Sequence, residues 1–312
     1  MKPVVHHGAA TVPPADSAWD AGRAWFAHGG ADFLTLAKPR LNLLVLMTTA
    51  AGLYLAAPDG VATSVLLHTL TGTALVAGGA AALNQVWERR TDALMRRTQH
   101  RPMASGRLGI AEGLLFGIGL SATGLIELAL GVNPLSAAVA AVTLVSYVLM
   151  YTPLKPHTSL ATLVGAVPGA LPPVIGWAAA TNAITLPALV LFGIMFFWQM
   201  PHFLAIAWLY RDDYAAAGIP LLPVLEPDGH RTGRQALFYG AALWPVSLMP
   251  TLVGLAGGVY IGVATVLGLT LIGLCARFAR DRSIQAARQL FLFSIVYLPL
   301  LWGALVVDRL WI

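Results

Sequence analysis

Asn84, Glu88 and Asp92 recur at intervals of four in the stretch LNQVWERRTDALMRRTQHRPMASGRL. On a helix each step of four rotates the side chain by only about 40°, so the three oxygen donors share one face over about 12 Å of rise. A hard cation such as Mg²⁺ suits that row, because it takes a few carboxylates and completes its shell with phosphate oxygens and water. Arg96, Arg97 and Arg101 follow within three turns, and guanidinium forks match phosphate oxygens. The combination points to a metal-bridged diphosphate whose remaining charge is met by arginine. The same spacing also fits a solvated amphipathic helix end, with Asp92 paired to Arg89 or Arg96 one turn away for a few tenths of a kcal/mol. Spacing alone leaves the two readings even.

Further polar groups add weight to the first. WQMPHFLAIAWLYRDDYAAAGIPLLP places Asp212 and Asp213 at the end of an apolar run, and two acidic patches would hold two metal ions on one diphosphate. His202 lies inside that run, beside Pro201 and near Trp198. An ionisable side chain at membrane depth is a functional candidate, although a neutral histidine bonded to a carbonyl freed at Pro201 accounts for it nearly as well. Lys155 in YTPLKPHT sits at a turn bounded by Pro153 and Pro156; it would meet a phosphate as a point charge or serve as an ordinary basic anchor. Glu112, Glu127 and His68 can reach an interface and carry little functional weight. His6 and His7 lack a third ligand. The single Cys275 rules out an internal disulfide and a cysteine metal cluster.

The elements that must position these residues belong to a membrane. Of 312 residues, 57% are apolar and only 11% charged, against roughly 25% charged in a soluble domain. Apolar windows predict nine spans, near 41–57, 63–84, 108–131, 134–151, 159–180, 186–208, 236–256, 258–276 and 289–307. Residues 1–35 lack a run long enough for a span or signal-peptide core and are expected to form a flexible tail ahead of a membrane domain over 36–312. With the N-terminus cytoplasmic, the loops around 85–107, 152–158, 209–235 and 277–288 share its side. Every one of the 19 Lys and Arg residues except Arg309 then falls on that side, as the positive-inside rule requires, and the C-terminus lies opposite. The net charge of +5 follows from this topology and draws the chain to anionic lipid headgroups; no nucleic-acid motif accompanies it. The two long loops with acids follow the second and sixth spans, a spacing that hints at two similar halves. In span five, Pro168, Pro172 and Pro173 of GAVPGALPPVIGW break helical bonds, so the freed carbonyls must face protein or a cavity.

At these residues the chain resembles the UbiA superfamily of intramembrane prenyltransferases, in its heme-farnesylating branch, over roughly residues 33–312. The likeness rests on TLAKPRLNLLVL, on N-x-x-x-E-x-x-x-D followed by RT-x-x-RP, on YTPLKPHT with PP-x-IGW, and on WQMPHF with RDDY-x-x-AGIP-x-LP. It implies an all-α integral membrane protein, nine transmembrane helices bundled around a central cavity that is capped by cytoplasmic loops. It implies that Asn84, Glu88, Asp92, Asp212 and Asp213 hold Mg²⁺, that Arg96, Arg97, Arg101 and Lys155 engage the diphosphate, and that His202 approaches the heme. The implied reaction takes farnesyl diphosphate, heme b as substrate and water to heme O and pyrophosphate, in a bacterial inner membrane, with a heme A synthase or terminal oxidase assembly as recipient. Two alternatives stand beside it: a prenyltransferase acting on an aromatic quinone precursor or another tetrapyrrole, and a secondary transporter, which would place its ionisable groups near the midplane rather than at the rim.

Overall fold

The computed structural model describes residues 29–57 and 59–311. Among them there is no strand. The long helices are α1 (Pro39–Ala56), α2 (Thr63–Ala93), α3 (Ile110–Gly131), α4 (Pro134–Val145), α5 (Ala161–Ala170), α6 (Pro172–Thr181), α7 (Leu186–Leu209), α9 (His230–Leu252), α10 (Gly258–Asp281) and α11 (Ile284–Asp308), with the short α8 (Arg211–Ala216) after α7. A π-helical turn over Ser146–Tyr151 and the turn Thr152–Leu154 extend α4. The pair α5 and α6 forms one span broken at Leu171, immediately before Pro172. Among the described residues eight spans are long and apolar enough to cross a membrane, against the expectation of nine. The helix at the remaining position, α9, is present; it opens on His230, Arg231 and Arg234, and Gln235, Tyr239, Pro245, Ser247 and Pro250 interrupt the apolar stretch that follows.

Local sequence explains several boundaries. Asn133 caps α4 by accepting from the Ser136 amide at 2.8 Å, with Pro134 at the first helical position. The Ser283 hydroxyl accepts from the Ala286 amide at 3.1 Å and caps α11. Glu112 accepts from the Gly109 amide at 2.7 Å at the start of α3, which gives that acid a structural role. Asp308 accepts from the Gly257 amide and ties the end of α11 to the start of α10. His68 pairs with Glu127 at 2.7 Å between α2 and α3.

Small residues set the helix spacing around α2, the element that carries the acidic row. Gly72 and Gly79 on α2 face Gly117, Ser121 and Gly124 on α3, where an added Cβ would strike the opposite backbone or side chain. This is the close approach that small residues permit within a membrane, where lipid supplies no hydrophobic drive between helices. The seam between α1 and α6 is as tight: a Cβ on Gly52 would meet the Pro173 carbonyl, and one on Gly176 the Thr49 carbonyl. Near the broken span, the Gln199 amide of α7 donates to the Ala166 carbonyl of α5 at 2.7 Å. Large side chains left outward, such as Leu115, Leu130 and Leu252, present an apolar perimeter to lipid. The chain is an integral membrane protein.

Residues 1–28 of the expected tail, with His6 and His7, lie outside the described residues. Residues 29–36 are helical. Leu36 is fully buried against Ala82, Val86, Met103 and Leu108. Its carbonyl accepts from the Gln85 amide of α2 at 3.0 Å, so the segment ahead of α1 is strapped to α2 and, through Met103 and Leu108, to the first loop.

The seam between α1 and α6 yields a stability prediction. Gly176→Ala forces a methyl group into the Thr49 carbonyl and lowers stability by about 1–3 kcal/mol. Gly273→Ala on α10, where nothing lies within 4 Å of the added carbon, leaves the melting temperature in detergent unchanged or slightly raised. Equal melting temperatures for both variants would contradict the close approach.

Candidate active site

The helix α2 runs for 31 residues, roughly 46 Å at 1.5 Å per residue, against a hydrocarbon core of about 30 Å. Its last turns therefore reach the polar rim, and they carry Asn84, Glu88 and Asp92. All three are buried, with 3%, 7% and 1% of their surface exposed, which rules out a solvated helix end. Nor do they pair within their own helix. Arg89 bonds to the Val86 carbonyl at 2.9 Å, and Arg96 is exposed.

Each member of the row instead meets one basic side chain brought from elsewhere. Lys38, ahead of α1, places Nζ 3.4 Å from Asn84 Oδ1. Lys155, after α4, donates to both Glu88 oxygens at 3.0 and 3.1 Å. Arg101, in the first loop, donates to Asp92 Oδ2 at 2.7 Å. Each buried carboxylate is thereby matched by a basic side chain rather than left unpaired in a low dielectric. Desolvation, followed by the nearby Arg101 charge, pushes the Lys38 ammonium down to about 8.

These six residues, with Met95, Arg97, Tyr147, Tyr151 and Tyr214, line a cavity of about 150 Å³. The π turn carries two neighbouring tyrosines. Tyr147 and Tyr151, four positions apart, lie on one side of it, where their rings stack with centroids 5.5 Å apart. Thr152 donates to the Tyr147 carbonyl at 2.8 Å and accepts from Asn84 Nδ2 at 3.1 Å, so the turn and the acidic row hold each other in place. Gly165 of α5 makes room for the Tyr151 ring, 2.6 Å from where its own Cβ would stand.

The second loop closes the cavity without using its acids. Tyr214 accepts from Arg97 Nη2 at 3.2 Å, and the Arg97 guanidinium lies 5.3 Å from the Tyr210 ring centre. Beside this contact, Met95 of the first loop packs with Ala207, Tyr214, Ala217, Ile219 and Leu221. Asp212 is 99% exposed and 3.9 Å from Arg211. Asp213 is half-buried, and neither aspartate lines the cavity. The two loops meet as expected, through Arg97, Tyr214 and Met95 rather than through two facing acidic patches. His202 also stands apart from the cavity, with Nδ1 2.7 Å from Ser294 Oγ and its ring stacked on Trp198 at 5.1 Å.

Lys38, Tyr147, Tyr151 and Tyr214 escaped selection as site residues. Lys38 and the tyrosines at 151 and 214 fall within motif stretches read from the sequence, but nothing in spacing marks a lysine 46 residues before Asn84 as its neighbour. Among the described residues no three His, Cys, Asp or Glu side chains gather as a self-sufficient metal cage. The donor set nevertheless fits a hard cation shared with a phosphate: two carboxylates, one amide oxygen, and in Asp92 Oδ1 a buried acceptor with no partner.

A helical membrane bundle whose rim encloses an oxygen row ringed by cations has the makings of an enzyme for a lipid-like diphosphate. Residues 45–297 match the UbiA prenyltransferase family, and the chain belongs to that family. It is 47% identical over 287 residues to the protoheme IX farnesyltransferase of Solibacter usitatus, covering 89% of this chain and 98% of that relative. It is 48% identical over 279 residues to the protoheme IX farnesyltransferase of Myxococcus xanthus, covering 89% and 94%. In fold it resembles a digeranylgeranylglyceryl phosphate synthase, with a TM-score of 0.77 at 15% identity over 90% of this chain and 99% of that one. It also resembles a UbiA homologue from Archaeoglobus fulgidus bound to GPP and Mg²⁺, with a TM-score of 0.63 at 16% identity over 88% and 99%. Membership of a prenyltransferase family makes the chain an enzyme and removes the transporter alternative.

The pair between Lys155 and Glu88 yields the next prediction. Lys155→Met strands a buried carboxylate and lowers stability by about 3–5 kcal/mol. Adding Glu88→Gln to that variant recovers part of the loss in the same detergent unfolding assay; a double variant no more stable than Lys155→Met would mean that the two groups are not coupled.

Proposed function

We propose that this chain transfers the farnesyl group of farnesyl diphosphate to a vinyl group of heme b, with addition of water, to give heme O and pyrophosphate. The support for heme as acceptor is the similarity to protoheme IX farnesyltransferases at 47% and 48% identity over nearly nine-tenths of the chain. The support for ionisation of a diphosphate is the cavity at the rim, and one observation carries it: an oxygen row buried among four cationic side chains.

In this reading the bond between C1 of the farnesyl chain and the bridging oxygen breaks, and its electron pair leaves with pyrophosphate. The vinyl π pair forms the new carbon–carbon bond. Water then adds to the cation left beside the tetrapyrrole ring and gives up a proton, which balances the reaction. No protein nucleophile is needed. Arg97, Arg101 and Lys155 hold the diphosphate and oppose the negative charge that grows on it, while exposed Arg96 draws the anion to the rim. Asn84, Glu88 and Asp92 hold the Mg²⁺ that accompanies the diphosphate, and that ion supplies further positive charge to the leaving group. Of the second acidic pair, which lies outside the cavity lining, Asp213 is the candidate to reach the metal once substrate is bound; its half-burial against the full exposure of Asp212 supports that choice. His202 offers Nε2 toward the heme, its Nδ1 being occupied by Ser294. The walls of the cavity keep bulk water from the allylic cation before the heme reaches it. The basic rim faces the cytoplasm of a bacterial inner membrane, and heme O passes from there to a heme A synthase or a terminal oxidase in assembly.

Purified protein incubated with heme b, farnesyl diphosphate and Mg²⁺ should give a more hydrophobic heme on reversed-phase chromatography, and chelation of the metal should stop its formation. Glu88→Ala and Asp92→Ala reduce turnover by about 10²–10³-fold, and Asp213→Ala reduces it more than Asp212→Ala. Unchanged heme beside a prenylated aromatic product would overturn the acceptor; full turnover in both Glu88→Ala and Asp92→Ala would overturn metal-assisted ionisation.

A further inference from the structure

Four cations line the cavity, and they are not alike. Lys155 is paired with Glu88 and Arg101 with Asp92. Arg97 and Lys38 are bonded only to neutral oxygens, those of Tyr214 and Asn84, and among the described residues neither forms an ion pair. A cation with only a neutral acceptor keeps most of its attraction for an anion; of the two, Lys38 is half-buried and Arg97 exposed. Arg97 belongs to the arginine-rich first loop. Lys38 belongs to no acidic or arginine motif, and nothing so far explains why a lysine reaches 46 positions forward to this place.

Its backbone sharpens the point. Lys38 has φ 48° and ψ 57°, a left-handed conformation that residues with a Cβ avoid and that persists only where the surroundings enforce it. The surroundings do so from both sides. Behind it, Leu36 is buried under the first loop and its carbonyl is held by Gln85. Further back, Asp32 accepts from Arg107 Nε at 2.9 Å and Nη2 at 3.0 Å, a forked contact across 75 residues. Ahead, Asn42 Nδ2 donates to the Ala37 carbonyl at 2.6 Å. The strap over 29–38 is thus fastened to the first loop at one end and to α1 at the other, and the strained residue between delivers its ammonium to the cavity.

We propose that Lys38 is a substrate-contacting residue, whose Nζ exchanges the Asn84 oxygen for a terminal oxygen of the diphosphate, and that Asp32 and Arg107 are a positioning pair acting through the strap. The proposal rests on the reading of the cavity as the diphosphate site. It does not depend on which acceptor takes the prenyl group.

The test uses the full chain in detergent, with inorganic pyrophosphate plus Mg²⁺ as a calorimetric probe and the KM for farnesyl diphosphate as a second readout. Lys38→Met raises the pyrophosphate Kd and the farnesyl diphosphate KM together by roughly 10–100-fold, the worth of one charge-assisted hydrogen bond. It leaves the heme KM and the melting temperature near the parent values, and Lys38→Arg restores most of the affinity. Asp32→Arg and Arg107→Asp each weaken pyrophosphate binding, and the reciprocal double variant recovers it, a rescue that lost packing alone would not show. An unaltered pyrophosphate Kd in Lys38→Met overturns the contact, and unaltered Kd values in both single strap variants overturn the positioning role. Parent protein that binds pyrophosphate in a Lys38-dependent way yet makes no heme O upholds Lys38 while sinking the proposed acceptor. Parent protein that binds no pyrophosphate sinks both.

Discussion

Carboxylates at the edge of a bilayer cannot be buried singly, because the lost hydration far exceeds anything packing returns. Here Glu88 and Asp92 are almost wholly enclosed, each matched by one basic side chain, and the amide of Asn84 is engaged at both of its polar atoms. The partners arrive from three separate places: the strap ahead of α1, the first loop, and the turn after α4. The need to bring those three together on the end of α2 governs much of the rim. It accounts for the strained backbone at Lys38, the bond from Asn84 to Thr152 and through it to the π turn, and the fastening of residues 29–36 over the first loop.

The remainder of the bundle holds α2 at the right height and distance. Glycine and serine on α2 and α3 bring two backbones together in a medium where only packing and polar contacts drive helix association. The proline-broken span lets α6 press on α1, and the Gln199 amide reaches from α7 to the broken region near Pro168. The two long loops then join over the cavity by an apolar patch around Met95 and by Arg97 on Tyr210 and Tyr214. Enclosure of this kind concentrates electrostatic effects, since the same charges act more strongly once water is excluded. A leaving diphosphate is the sort of group on which such a set of fixed cations acts best.

Much of this was legible from residue order. Apolar windows located every span, because hydrocarbon imposes its own length on a span, although α2 runs nine residues past its window and α9 begins six before its own. The count of spans parted from expectation only at α9, whose apolar stretch is interrupted by Pro245, Pro250 and polar side chains. The four-residue spacing put Asn84, Glu88 and Asp92 on one face, and a helix that continues past the membrane kept them there. Asp212, Asp213 and Arg96 were selected by the same kind of reasoning, yet they lie outside the cavity lining. A local pattern states which residues are neighbours on one element and says nothing about which way a loop helix turns.

What the sequence by itself determined was therefore membrane residence, the spans, the basic rim and the acidic row, each set by periodicity or by the cost of moving charge into hydrocarbon. What only the tertiary structure decided was pairing: Lys38 on Asn84, Lys155 on Glu88, Arg101 on Asp92, and Tyr214 in place of its neighbouring aspartates. Those choices depend on how far apart elements distant in the chain come to rest, and electrostatics between side chains is settled by distance and burial, neither of which a linear order of residues contains.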